Sequence, residues 1–236
     1  MAKKIILACM AIAAFAAFVI PASASASPRL CETAAGGGEP CTNLAVGSLI
    51  KGTNVGNWTF TGEGGNNVVC SSITMTGNLT ENSGTSAKGD ITSATFGGTG
   101  TNGDCTGPLG TSVQVITNEG NGLPWCLSAN NEMAADEFQV RGNACNLASR
   151  SITFQFNITG LNHCWYNRTG AVKGTFSTDT SGQDAILTFS EQEWTLEKEE
   201  KTSIFSPACP GFGKLDGAAT LETDPIEGSA TPLYIK

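Results

Sequence analysis

Between Ile152 and Thr159 the chain alternates without a break. Ile152, Phe154, Phe156 and Ile158 are apolar, and Thr153, Gln155, Asn157 and Thr159 are polar. Successive side chains leave a β-strand on opposite sides, so a period of two predicts a strand with one face buried and one face wet. Weaker alternation of the same kind recurs. Val69, Ile73, Met75 and Leu79 share one parity, as do Trp58 with Phe60, Val113 with Val115, and Ala185 with Leu187 and Phe189. Beyond Phe189 the parity flips, because Trp194 and Leu196 are even-numbered. A bulge or strand end between Ser190 and Gln192 accounts for that flip. Leu233 and Ile235 around Tyr234 read as a last strand that closes the sheet.

Gly/Asn/Asp/Thr clusters separate these runs, at 62–67, 97–104, 118–122 and 178–184. Gly adopts turn conformations freely, and Asn and Asp bond their own backbone, so the clusters read as turns. Many short strands with such punctuation predict an all-β fold, an antiparallel β-sandwich or barrel. Only Ser128 to Glu137 invites a helix, with Ser128 as N-cap before Met133, Ala134 and Ala135, so at most one short helix is expected. Charged residues make up only 14% of the 236 residues, which excludes a coiled coil or a highly charged disordered chain. The net charge of −8 argues against a nucleic acid partner, since a polyanion is repelled.

The first 26 residues read as a secretory signal peptide. Lys3 and Lys4 precede the apolar run Ile5 to Ile20, Pro21 breaks it, and Ala22-Ser23-Ala24-Ser25-Ala26 offers small residues for cleavage. The run is shorter than the ~20 residues that span a bilayer, and nothing later is long and apolar enough to cross. Cys9 lies inside the run, with most of the apolar residues after it, so it is a small apolar residue of the leader rather than a lipidation site. Residues 27–44 form a short N-terminal extension, flexible by composition at Ala34 to Gly38, and residues 45–236 form the all-β domain.

Without Cys9 the chain keeps Cys31, Cys41, Cys70, Cys105, Cys126, Cys145, Cys164 and Cys209. An even set in an exported chain predicts about four disulfides. The sequence does not choose among the many pairings. Antiparallel neighbours tend to be close in sequence, which favours 31 with 41, 70 with 105, 126 with 145, and 164 with 209. Metal binding is disfavoured: no two cysteines have Cys-x-x-Cys spacing, and the only histidine, His163, abuts Cys164. No metal or cofactor is expected.

Several groups carry side chains capable of chemistry. Glu191, Glu193, Glu197, Glu199 and Glu200 could supply the carboxylate pair of a glycoside hydrolase. Lys198 and Lys201 interleave with them, as on the wet edge of a strand, and that reading is preferred. His163 is the sole base for a nucleophile triad, and no Gly-x-Ser-x-Gly elbow presents a serine, so no catalytic residue is assigned. Asp90 and Asp104 lack the ligand spacing of a calcium loop. Four Asn-x-Thr sequons, at Asn57, Asn78, Asn157 and Asn167, stay unassigned. Of Trp58, Trp125, Trp165, Trp194, Tyr166 and Tyr234, the adjacent Trp165 and Tyr166 are the candidate ligand-binding rings, since neighbours on a strand put at least one ring outward.

Val68-Val69-Cys70, Gly103-Asp104-Cys105-Thr106-Gly107, Trp125-Cys126, His163-Cys164-Trp165-Tyr166, Cys209-Pro210 and Pro232-Leu233-Tyr234-Ile235 together resemble a group of uncharacterised secreted β-proteins of soil actinobacteria. The resemblance implies location and fold, and no activity. The expected function is that of an exported, non-enzymatic β-domain protein of the cell envelope or extracellular space, structural or binding. The alternatives are a module that binds carbohydrate or another small ligand through exposed aromatics, and a secreted hydrolase. The expected partner is a glycan or another cell-envelope component.

Overall fold

A computed structural model describes residues 28–32, 42–118, 122–134, 136–178, 185–201, 208–223 and 233–235. The described residues are all-β and antiparallel. In chain order the strands are β1 (Leu30–Cys31), β2 (Leu49–Asn54), β3 (Trp58–Gly62), β4 (Asn67–Cys70), β5 (Ser72–Asn82), β6 (Ser86–Gly97), β7 (Cys105–Thr106) and β8 (Ser112–Ile116). There follow β9 (Trp125–Asn130), β10 (Glu137–Gly142), β11 (Ile152–Ile158), β12 (Asn162–Arg168), β13 (Val172–Thr178), β14 (Ala185–Lys201), β15 (Phe212–Thr223) and β16 (Tyr234–Ile235). Three single turns of 3₁₀-helix, at Glu63–Gly65, Thr101–Gly103 and Pro108–Gly110, are the only helical elements among the described residues.

The pairings show a simple plan. β2 and β3 follow one another along β15, and β12 and β13 do the same along β14. Likewise β4 continues into β5, β6 into β7, β8 into β9, and β10 into β11, each with a short interruption. Strands β2 to β15 of the described residues therefore run as eight long lines, up and down. Each line pairs with the next, and the eighth, β15, pairs back with the first. Such a meander keeps sequence neighbours adjacent in space.

That adjacency explains the cysteines. Cys70–Cys105, Cys126–Cys145 and Cys164–Cys209 are bonded, with Cα–Cα distances of 4.5, 4.7 and 5.9 Å. Cys31 is disulfide-bonded as well, while Cys41, its expected partner, lies outside the described residues. Among the described residues, three bridges of the about four expected have both cysteines placed.

Inward positions carry the core: Trp58, Phe60, Ile73, Phe138, Phe154, Phe156, Tyr166, Phe189 and Trp194 are all buried. Rings pack mainly edge to face, as the positive rim and negative face of an aromatic favour; Phe154 and Trp194 are 4.5 Å apart between centroids. Two glycines of β15 make room for this packing. Phe60 lies on Gly213 and Trp58 on Gly217, where any Cβ would collide with the ring. The predicted bulge is present: the β14–β15 register shifts between Phe189 and Gln192, with Glu191 at φ 50°.

Four sequence expectations change in three dimensions. The outer face of β11 is not wet, since Thr153 and Gln155 are 5% and 3% exposed. Gln155 stands in register between Ile116 and Trp165, whose side chains share its face and shut out water. Val69 does not share the side of Ile73, because β4 ends at Cys70 and leaves Val69 facing out between buried Val68 and Cys70. The predicted helix over Ser128 to Glu137 is a hairpin. Ser128 pairs with Gln139 and Lys88 inside the sheet, and tertiary pairing outweighs the local helix preference of Met133 and Ala134. Finally, β16 pairs with β1 in a separate two-stranded ribbon rather than closing the main sheet.

This ribbon, with Leu44, caps one end of the circuit. Leu30, Leu44 and Leu233 are buried. The Asn82 side chain accepts from the Leu30 N–H at 3.1 Å and donates to the carbonyls of Leu30 and Leu44 at 2.8 and 2.9 Å. Described residues of the N-terminal extension are therefore part of the packed fold.

Candidate functional site

Trp165 and Tyr166 point to opposite sides of β12. Tyr166 is 1% exposed, its ring packs on Phe60, and its hydroxyl donates to the Pro210 carbonyl at 2.9 Å. It offers no face to a ligand. Trp165 stays outward and half-buried, with the Lys198 ammonium 4.6 Å from its ring centroid and His163 beside it. One ring face is thus already engaged by a cation. Lys198 also pairs with Glu200, and this hydrogen bond holds the Glu200 carboxyl below the usual carboxylate range.

The acidic run lies on β14, which is no edge: it pairs with β12, β13 and β15. Three of its five carboxylates, those of Glu191, Glu199 and Glu200, have local partners. Glu199 Oε1 accepts from the Asn162 amide at 3.0 Å and the Cys209 N–H at 2.7 Å. Glu191 reaches toward Lys214 at 3.6 Å from an exposed bulge. Asp90 accepts from the Cys145 N–H at 2.6 Å, and Asp104 accepts from the Ser112 hydroxyl at 2.8 Å. Asp90 sits close to the sulfurs of Cys126 and Cys145, but these are bonded to each other and have no thiolate to offer a metal.

Burial raises the Tyr166 phenol well above its ordinary range, and the Glu199 carboxylate adds to the rise. The folded state therefore favours neutral Tyr166. The resulting stability is complete below the unfolded-state value near ~10 and fades as pH rises through and above it, at up to ~1.4 kcal/mol per pH unit. Tyr166→Phe is expected to flatten this alkaline decline, measured as Tm between about pH 9 and pH 11. An equal decline in the variant would place the sensitivity elsewhere.

Two concavities were not legible in the sequence. The first is an open groove of about 950 Å³. Meander geometry gathers the tips at 63–66, 107–111 and 159–161 and the segment 208–210 at the end opposite the ribbon, and the groove takes its walls from that end. Its side chains include Asn57, Asn66, Asn67, Thr99, Thr106 and Leu109, and no lining residue carries an ionisable group. The hydroxyl of Thr99, between β6 and β7, lies 3.1 Å from that of Thr106 on β7. Leu109 stands fully exposed at the tip Pro108–Gly110 with φ 58°. Holding a leucine in the left-handed region costs about 1–3 kcal/mol, and such strain clusters at ligand sites.

The second is an interior cavity of about 80 Å³, walled by Trp58, Phe154, Trp125 and Trp194 among other core residues. No polar atom faces it. Native interiors hold few voids larger than a water, and one of this volume costs about 2 kcal/mol in lost contacts.

Fold and site define a disulfide-stapled antiparallel β-protein with a neutral groove at one end. Compared with known proteins, the chain matches no family model, no curated protein and no solved structure. No helix among the described residues is long and apolar enough to cross a membrane. This and the three disulfides are compatible with an extracellular protein.

Proposed function

We propose that the chain is an exported, non-catalytic binding protein of the extracellular space or cell envelope, that its closed meander is a β-barrel, and that the groove docks a neutral, hydroxyl-rich ligand such as a glycan. The carrying observation is the groove's lining, which has no charge in a chain of net charge −8. An amide side chain offers donors and an acceptor together, which suits vicinal hydroxyls, and Val69, Ile158 and Leu109 supply apolar area for the C–H faces of a sugar. Neither Glu191 nor Glu193 lines the groove or the interior cavity, which favours binding over hydrolysis. Export rests on the leader pattern of residues 1–26 and on the disulfides.

The test is a thermal-shift and calorimetric screen of neutral and acidic oligosaccharides. A neutral oligosaccharide is expected to raise Tm saturably. Combining Asn66→Ala with Asn67→Ala should weaken binding about thirtyfold, at roughly 1 kcal/mol for each of two lost hydrogen bonds. No response to neutral glycans, or a response that survives both changes, overturns the groove. A response abolished by Trp165→Ala alone would move the site to the outer face.

A further inference from the structure

We infer that the interior cavity is a second binding site, for a light hydrocarbon without a polar group. The inference is independent of the groove, because the two concavities have no lining residue in common.

The chemistry of the wall sets the class of guest. Thr117 carries the only hydroxyl among the lining residues, and it donates to the Ala94 carbonyl at 3.2 Å. Trp125 and Trp194 each carry a buried indole N–H with no acceptor, yet neither nitrogen presents surface to the cavity. A hydroxyl, carboxyl or amide on the guest would lose its hydration and find nothing to replace it. A hydrocarbon loses nothing of that kind and gains contact with the surrounding rings.

The volume sets the size. About 80 Å³ is roughly half of the ~150 Å³ apolar cavity that accepts benzene or xenon in a comparable dry site. A single xenon atom or a chain of about three carbons suits that space, and benzene is at or beyond its limit. The rings that define the wall are held by one another: Trp58 packs on Phe189 at 5.3 Å, and Phe60 on Phe156 at 5.0 Å. Collapse of any one ring into the space would break contacts it makes on its other side, so the cavity is a feature of the packed core.

Xenon-129 NMR on the disulfide-bonded protein tests this directly, with propane as competitor. The expected result is a saturable xenon shift that propane displaces and that propanol and neutral oligosaccharides do not. Val140→Leu or Val172→Leu, each adding a methylene at the wall, should weaken xenon binding at least tenfold. A shift that grows linearly with xenon pressure overturns the inference, as does an undiminished saturable shift in a folded filled variant. Should neither variant fold, competition on the unaltered chain decides: displacement by propanol as effective as by propane overturns an apolar-only site. Loss of glycan binding with intact xenon binding would sink the groove reading alone.

Discussion

Full reduction of the disulfides is expected to unfold the chain at room temperature. The bridges close loops with sequence separations of 35, 19 and 45 residues. On the chain-entropy account these contribute about 4, 3 and 4 kcal/mol, chiefly by restricting the unfolded chain. Their sum matches the whole net stability of an ordinary domain, about 5–15 kcal/mol. Circular dichroism and thiol counting during reduction give the measurement. Replacing Cys164 and Cys209 together by Ala should lower the unfolding free energy by about 4 kcal/mol, slightly more than replacing Cys126 and Cys145. The first pair also ties the segment at 208–210 to β12, so its loss should loosen one wall of the groove. A fully reduced chain that keeps its fold and Tm would show that ring packing alone carries stability.

Phe60→Ala is expected to cost about 3–5 kcal/mol. Its ring contacts Phe154, Phe156 and Tyr166, with centroid separations of 5.8, 5.0 and 4.8 Å, and it occupies the space that the missing side chain of Gly213 leaves. Gly213→Val should therefore cost about 2–3 kcal/mol by overpacking against the same ring. Chemical denaturation of both single variants and the pair closes a double-mutant cycle. Removing Phe60 first should make the valine nearly neutral, and simple additivity would refute the lock between ring and glycine.

Much of the architecture was legible because it is local. The alternation from Ile152 to Ile158 marks β11 at its observed bounds, and the parity flip after Phe189 marks the bulge. Sequential cysteine pairing follows from a meander, where chain neighbours are also sheet neighbours. The candidate site was less legible. Adjacent positions predict that one of Trp165 and Tyr166 faces out, but not which ring is covered by its neighbours across the sheet. The Asn and Thr residues of the groove carry the composition of ordinary turns. A leucine between proline and glycine at Pro108–Gly110 was the one local sign of an exposed apolar tip.

Periodicity and cysteine content, read along the chain, determined that this protein is a disulfide-stapled antiparallel β-protein, because side-chain alternation is a property of neighbouring residues. The tertiary structure alone decided that β11 is covered on both faces, that β14 lies inside the sheet, and that the end ribbon is a cap. It also decided that four connections converge on an uncharged groove. Those outcomes depend on closing eight lines into one circuit, which brings together residues from distant parts of the chain. Burial and charge environment belong to that closure and have no counterpart in the order of the residues.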